Sequence, residues 1–146
     1  MALDINSLET SFDVIAPRGD EVVEEFYDRI FTAAPALRGL FPDDMTHQRT
    51  VVLSALVLIR KSLRNFDRIV PTLRSLGARH VGYGAQPEHY PVVGAALIES
   101  MAHVAGAAWR PEYTSAWGDA WGVLVAEMVA GADEAVAQEQ EQRLAA

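Results

Sequence analysis

Three polar side chains occupy places where a helical pattern asks for apolar ones. In Ile69-Val70-Pro71-Thr72-Leu73-Arg74-Ser75-Leu76-Gly77-Ala78-Arg79-His80, the residues Ile69, Leu73, Leu76 and His80 recur at offsets of four, seven and eleven. Those offsets put all four on one face of a helix. An imidazole carried inward at the end of such a helix can ligate a metal. Tyr27 shares a stripe with Val23, Phe26, Ile30 and Phe31, and Gln48 heads a stripe of Val52, Ala55, Ile59 and Leu63. A buried polar group without a partner costs on the order of 1–3 kcal/mol, so three of them on three helices need a common explanation. Two are open. The groups hydrogen-bond within the core, or they surround a polar ligand or metal held in an apolar pocket. For the second, Tyr O–H and Gln N–H are donors that suit a small ligand opposite an imidazole.

The remaining chemistry-bearing residues read more simply. His47 stands beside Asp43 and Asp44 at a helix start and is expected to be exposed. His103 falls off the apolar stripe of its helix, and His89 follows Glu88 near a helix N-terminus and is read as partly exposed. Gly82-Tyr83-Gly84 has too few glycines for a phosphate-binding loop and follows a helix, not a strand. Neither G-x-S-x-G nor H-E-x-x-H occurs. Glu21, Glu24, Glu25 and Asp28 read as a solvated helix face, and Glu99 with His103 has the wrong spacing for a di-iron bundle. With no cysteine, disulfides, thiolate zinc sites, iron–sulfur clusters and thiol nucleophiles are excluded. A net charge of −8 disfavours nucleic acid as a partner.

The elements that must position these groups are all helical, since no stretch alternates with a period of two. Asn6, with Glu9 as a capping-box partner, is expected to start a first helix that carries Leu8, Phe12 and Ile15 inward and stops at Pro17-Arg18-Gly19. Asp20 is expected to cap the helix of Tyr27. A short helical turn runs from Pro35 to Leu40, followed by Phe41 and the loop Pro42-Asp43-Asp44-Met45. A long helix from about Thr46 to Arg64 is apolar nearly all round its middle, and is expected to be sandwiched between others. The helix ending at His80 follows, from about Phe66. Pro87 and Pro91 bracket the start of a helix running to about Ala108, and Pro111 opens the last, with Tyr113, Trp117, Trp121, Leu124 and Met128 on its inner face. From Glu134 the chain is a polar tail, read as a fraying helix end. Its 146 residues form one domain, all-α, with six to seven helices. No basic region followed by an apolar one opens it, so no secretory signal is expected. Its longest apolar run, Val51 to Ile59, falls short of the roughly 20 residues needed to span a bilayer, so no integral membrane segment and a cytoplasmic location are expected.

Five pieces, in order, carry a resemblance: Glu25-Phe26-Tyr27-Asp28-Arg29-Ile30-Phe31, Leu40-Phe41, Leu76-Gly77-Ala78-Arg79-His80, Glu88-His89-Tyr90-Pro91-Val92-Val93-Gly94 and Ala116-Trp117-Gly118-Asp119-Ala120-Trp121-Gly122. From about Leu8 to Met128 the chain resembles the globin domain of bacterial flavohaemoglobins and the single-domain bacterial haemoglobins akin to it. The resemblance implies a globin fold around b-type haem (iron protoporphyrin IX), with His80 as proximal iron ligand and Tyr27 with Gln48 as the distal hydrogen-bonding pair. It further implies Val52 over the iron, Phe41 stacked on the haem, Val93 and Trp121 lining the pocket, Tyr90 hydrogen-bonding near His80, and Arg79 reaching a haem propionate. Two departures stand out. The larger family members append flavin and nicotinamide domains, and the chain ends before either, so no reductase domain is expected. Their last helix also carries a glutamate behind the proximal histidine. Counted without gaps that place is Ala132, with Asp133 and Glu134 adjacent.

The function so implied is reversible dioxygen binding, for storage or transport. The first alternative is nitric oxide detoxification, a dioxygenation to nitrate that needs an external reductase. A haem-based gas sensor or interaction module is the second. Partners would be O2, NO and other diatomic haem ligands. A carboxylate behind a ligating histidine raises its basicity, so its absence makes peroxidase activity the less expected outcome.

Overall fold

A computed structural model describes residues 3–145, and every regular element among them is helical. The six α-helices are α1 (Ile5–Ile15), α2 (Gly19–Ala33), α3 (Thr46–Ser62), α4 (Val70–Gly82), α5 (His89–Ala105) and α6 (Pro111–Ala145). Short 3-10 turns at Ala16–Arg18, Pro35–Leu40, Leu63–Arg68 and Gly106–Ala108 join or extend them. The all-α class and helix number agree with expectation.

The starts of the first two helices differ from those expected. Asp4, not Asn6, caps α1, because its carboxylate accepts from the Ser7 backbone N–H at 3.1 Å and the Ser7 hydroxyl at 2.7 Å. Glu9 is drawn instead to Arg64 at 2.7 Å and Arg60 at 3.1 Å. Helix α2 begins at Gly19, so Asp20 and Glu21 lie in its first turn, where they still complement the helix dipole.

The main core is built where α1, α2, α5 and α6 turn their stripes together: Leu8, Phe12 and Ile15; Val22, Val23, Phe26 and Ile30; Leu97, Met101 and Val104; Ala116, Trp117 and Ala120. Two polar groups inside it are satisfied locally. Ser11 accepts from Trp117 Nε1 at 2.8 Å and donates to the Ser7 carbonyl at 2.6 Å, and Ser100 donates to the Ala96 carbonyl at 2.7 Å. Among the described residues no buried side-chain nitrogen or oxygen lacks a partner.

Helix α3 is not sandwiched. Only Leu56 is buried in it, and Val51 and Leu58 are each 45% exposed. One side packs on α2 and α1 while the opposite side is open. The stretch His89–Ala108 is, by length and composition, apolar enough to cross a bilayer, with a mean hydropathy of 1.3. A search for unbroken apolar runs passes over it because Glu99 and His103 interrupt the stretch. In this fold α5 spends that apolarity on α2, burying Gly94, Leu97, Met101 and Val104.

Helix α4 starts at Val70 rather than Phe66, after a 3-10 turn that contains a non-helical backbone at Asn65 (φ −135°, ψ 46°). Its partner is α6, with which it shares the most extensive packing in the fold. Ile69, Leu73 and Leu124 form a second small cluster there, and Ile59 and Trp121 link it to the main core. The tail from Glu134 is not frayed, for α6 continues as regular helix to Ala145, aided by an Arg143–Glu139 pair at 2.7 Å.

Candidate functional site

The first polar group lies on α2. Tyr27 is 3% exposed and ringed by aromatics, with centroids 5.0 Å from Phe26, 5.9 Å from Phe31 and 5.6 Å edge-on from Phe41. Phe41 reaches it because the turn before it is pinned. Arg38 lies over the Phe31 ring at 5.2 Å and donates to the carbonyls of Phe41, Pro42 and Asp43 at 3.3, 2.9 and 3.0 Å. Arg38 was not singled out from sequence, since a charge in a short turn gives no sign of three carbonyls folded round it.

Gln48, in the first turn of α3, donates from Nε2 to the Tyr27 hydroxyl at 3.1 Å. This contact gives Tyr27 an acceptor role and leaves its own proton without an acceptor among the described residues. Burial raises the Tyr27 pKa above its usual 10, and the Gln48 bond opposes this more weakly. The group therefore stays a neutral phenol, able to donate. A cleft of about 310 Å³, lined by Tyr27, Phe31, Arg38, Asp44 and Arg49 among others, opens beside Tyr27.

The second polar group is on α4. Along the expected stripe, Ile69 and Leu73 are buried, whereas Leu76 and His80 are half-buried. His80 Nδ1 lies 2.7 Å from the Leu76 carbonyl, which can only accept, so Nδ1 carries the proton. Nε2 is left with its lone pair. Burial pulls the imidazole pKa below 6.5, opposed by the Leu76 bond and helped by the Arg79 charge, so the ring is neutral at pH 7. The Tyr83 ring stands edge-on at 5.4 Å. The donation to Leu76 matches the four-residue spacing, but neither it nor Tyr83, which lies beyond the stripe, was singled out from sequence.

Apolar residues expected to line a pocket are half-buried: Phe41, Val52, Val93 and Trp121 all pack against the main core. Trp121 Nε1 donates to the Tyr90 carbonyl at 2.9 Å and lies so close over Gly94 that a side chain there would collide with the indole. Tyr90 is half-buried. Among the described residues its hydroxyl makes no hydrogen bond, to His80 or otherwise. Arg79 is exposed and unpaired among those residues, free to meet a carboxylate. Of the acidic residues beside Ala132, Glu134 is engaged by Arg74 at 3.1 Å and Asp133 is exposed, and among the described residues neither makes an ion pair with His80.

Thus Tyr27 and Gln48 are brought into direct contact, while His80 belongs to a separate set with Leu76 and Tyr83. The other histidines fall outside both. His47 is exposed, His89 accepts from the Gln86 N–H at 3.0 Å, and His103 is exposed and meets Glu25 at 2.5 Å. Among the described residues no three histidine or acidic side chains converge as a metal cage. The free Nε2 of a neutral imidazole, a pair of neutral donors and a half-buried apolar lining fit a flat apolar cofactor whose metal takes one protein nitrogen.

A family model described as Globin matches residues 24–128. The flavohemoprotein of Bacillus subtilis is 28% identical over 141 residues, which cover 94% of this chain and 35% of that protein. The chain therefore spans about a third of the length of this curated relative. An engineered carbene transferase, whose Rhodothermus marinus parent is a candidate nitric oxide dioxygenase, superposes with a TM-score of 0.83 at 20% identity, covering 93% of this chain and 95% of that one. A Malassezia yamatoensis flavohemoglobin with bound FAD and heme superposes with a TM-score of 0.74 at 22% identity, covering 90% and 37%.

Proposed function

The chain belongs to the globin family, and we propose that it binds b-type haem through His80 and holds dioxygen reversibly, in the cytoplasm, for storage or delivery. Haem would supply an iron with one position for His80 and one for a diatomic gas. The observation that carries the reading is the hydrogen bond from His80 Nδ1 to Leu76, which aims a neutral Nε2 lone pair away from its own helix. Phe41, Val52, Val93 and Trp121 would wall the ring and exclude water, and Arg79 would meet a propionate.

On the opposite side Tyr27 does the discriminating work. Gln48 donates to the Tyr27 oxygen, which polarises the hydroxyl and frees its proton for the polar end of a captured gas. An apolar gas such as carbon monoxide gains little from that donor, whereas dioxygen, which draws negative charge onto itself, gains the strength of a charge-assisted bond.

Nitric oxide dioxygenation is the second reading, supported by the same donor pair and by the flavohemoprotein relative. It needs electrons from a reductase as partner. The deciding experiment supplies the haem-loaded chain with dioxygen, nitric oxide, a flavin reductase and its electron donor. Consumption of about one equivalent of nitric oxide, then arrest, is expected of a carrier. Sustained turnover to nitrate, abolished in Tyr27→Phe, would replace the carrier reading with the enzymatic one.

A further inference from the structure

We infer that the crossing of α4 over α6, closed by Gly77 and Gly131 and braced by Arg74, sets how far and at what angle the His80 imidazole presents Nε2, so that these three are positioning residues. The inference rests on the reading of His80 as the iron ligand.

A side chain at Gly77 would collide with the backbone carbonyl of Met128, and one at Gly131 with the carbonyl of Arg74. The two contacts are reciprocal: Arg74 precedes Gly77 by three residues, and Met128 precedes Gly131 by three. Two helix backbones therefore touch at two points almost one turn apart on each. One point would fix a separation; two fix the crossing angle as well. Ordinary helix pairs are spaced by intervening side chains, about 8–10 Å between axes, and such spacers adjust. Backbone against backbone has nothing to adjust, because glycine is the residue that allows this approach and leaves only Cα–H and carbonyl groups in contact.

Arg74 prevents the remaining motion, sliding along α6. Its Nε meets Glu127 at 2.9 Å and its Nη1 meets Glu134 at 3.1 Å, seven residues apart on α6 and on either side of Gly131. His80 lies three residues beyond Gly77, less than one helical turn, so a displacement at the crossing passes rigidly to it. The carbonyl that orients the ring belongs to Leu76, the residue next to Gly77. Among the described residues that bond is the only one the imidazole makes, and no carboxylate of α6 reaches it. The orientation of the ring is thus inherited from the helix crossing. Gly118 and Gly122, on the same α6, face open space and provide an internal control.

The test compares Gly131→Ala, Gly77→Ala, Arg74→Gln and the control Gly122→Ala with the parent, each loaded with haem and reduced. The readouts are the iron–histidine stretching frequency and the rate of haem loss to an excess of acceptor apoprotein. Loss of global stability alone leaves the stretching frequency of the folded fraction unmoved, whereas a displaced imidazole shifts it. The expected result is a shifted frequency and haem loss faster by roughly tenfold in the alanine variants, a smaller shift in Arg74→Gln, and parental values in Gly122→Ala. Parental frequency and loss rate in a folded Gly131→Ala or Gly77→Ala overturn the inference. Where neither folds, parental values in Arg74→Gln do so. A parent that takes up no haem refutes the haem reading instead. The crossing is then judged by the imidazole nitrogen resonances of the metal-free chains, and unchanged Nδ1 resonances across the variants overturn it.

Discussion

Tyr27→Phe is expected to release dioxygen about ten- to hundredfold faster than the parent, a loss of roughly 1.5–3 kcal/mol, the range for a hydrogen bond to a charged acceptor. The phenol is buried, held neutral by that burial, and its oxygen accepts from the Gln48 amide at 3.1 Å, which leaves the proton to be donated to a ligand. Phenylalanine keeps the ring and its packing against Phe26, Phe31 and Phe41, so the change isolates the proton. Carbon monoxide release should change far less. Stopped-flow displacement measures both. Equal acceleration for the two gases would mean that the pocket had loosened; no acceleration for either would remove Tyr27 from ligand binding.

Trp117→Ala is expected to destabilise the fold by about 3–5 kcal/mol, the cost of emptying a large buried aromatic site. Trp117 is 2% exposed, sits where α6 meets α1, and spends its one polar atom on Ser11 at 2.8 Å. Ser11 retains the Ser7 carbonyl when the indole is removed, so the cost is mainly the cavity rather than an orphaned hydroxyl. Equilibrium urea unfolding of the metal-free chain measures it. A loss below about 1 kcal/mol would mean that α1 and α6 close over the space.

What sequence could and could not supply follows from the range of the interactions. Tyr27, Gln48 and His80 were legible because a polar residue on an apolar helical stripe violates a local periodicity, and that violation needs no coordinates. The pairing of Tyr27 with Gln48 was only one of two open explanations until the distance between two helices was known. The sandwiching of α3 was misread because an apolar circumference says how much a helix could bury, not whether partners exist on every side; Val51 and Leu58 stay exposed. The cap at Asp4 was missed because Asn6 and Glu9 matched a capping box, while Glu9 had a stronger attraction in Arg60 and Arg64, some fifty residues away. The α4–α6 crossing was invisible. Glycine inside a helix reads as a weak point, and only the carbonyl opposite it shows that it is a contact.

Haem binding through His80 is tested most directly by the absorption spectrum of the purified chain after addition of haem, alongside that of His80→Ala. The parent should show an intense Soret band that shifts on reduction and again with carbon monoxide. In His80→Ala that band should be lost, or replaced by the spectrum of loosely held haem. A parent without a Soret band, or a His80→Ala protein with the parental spectrum, would contradict the assignment of His80 as the iron ligand.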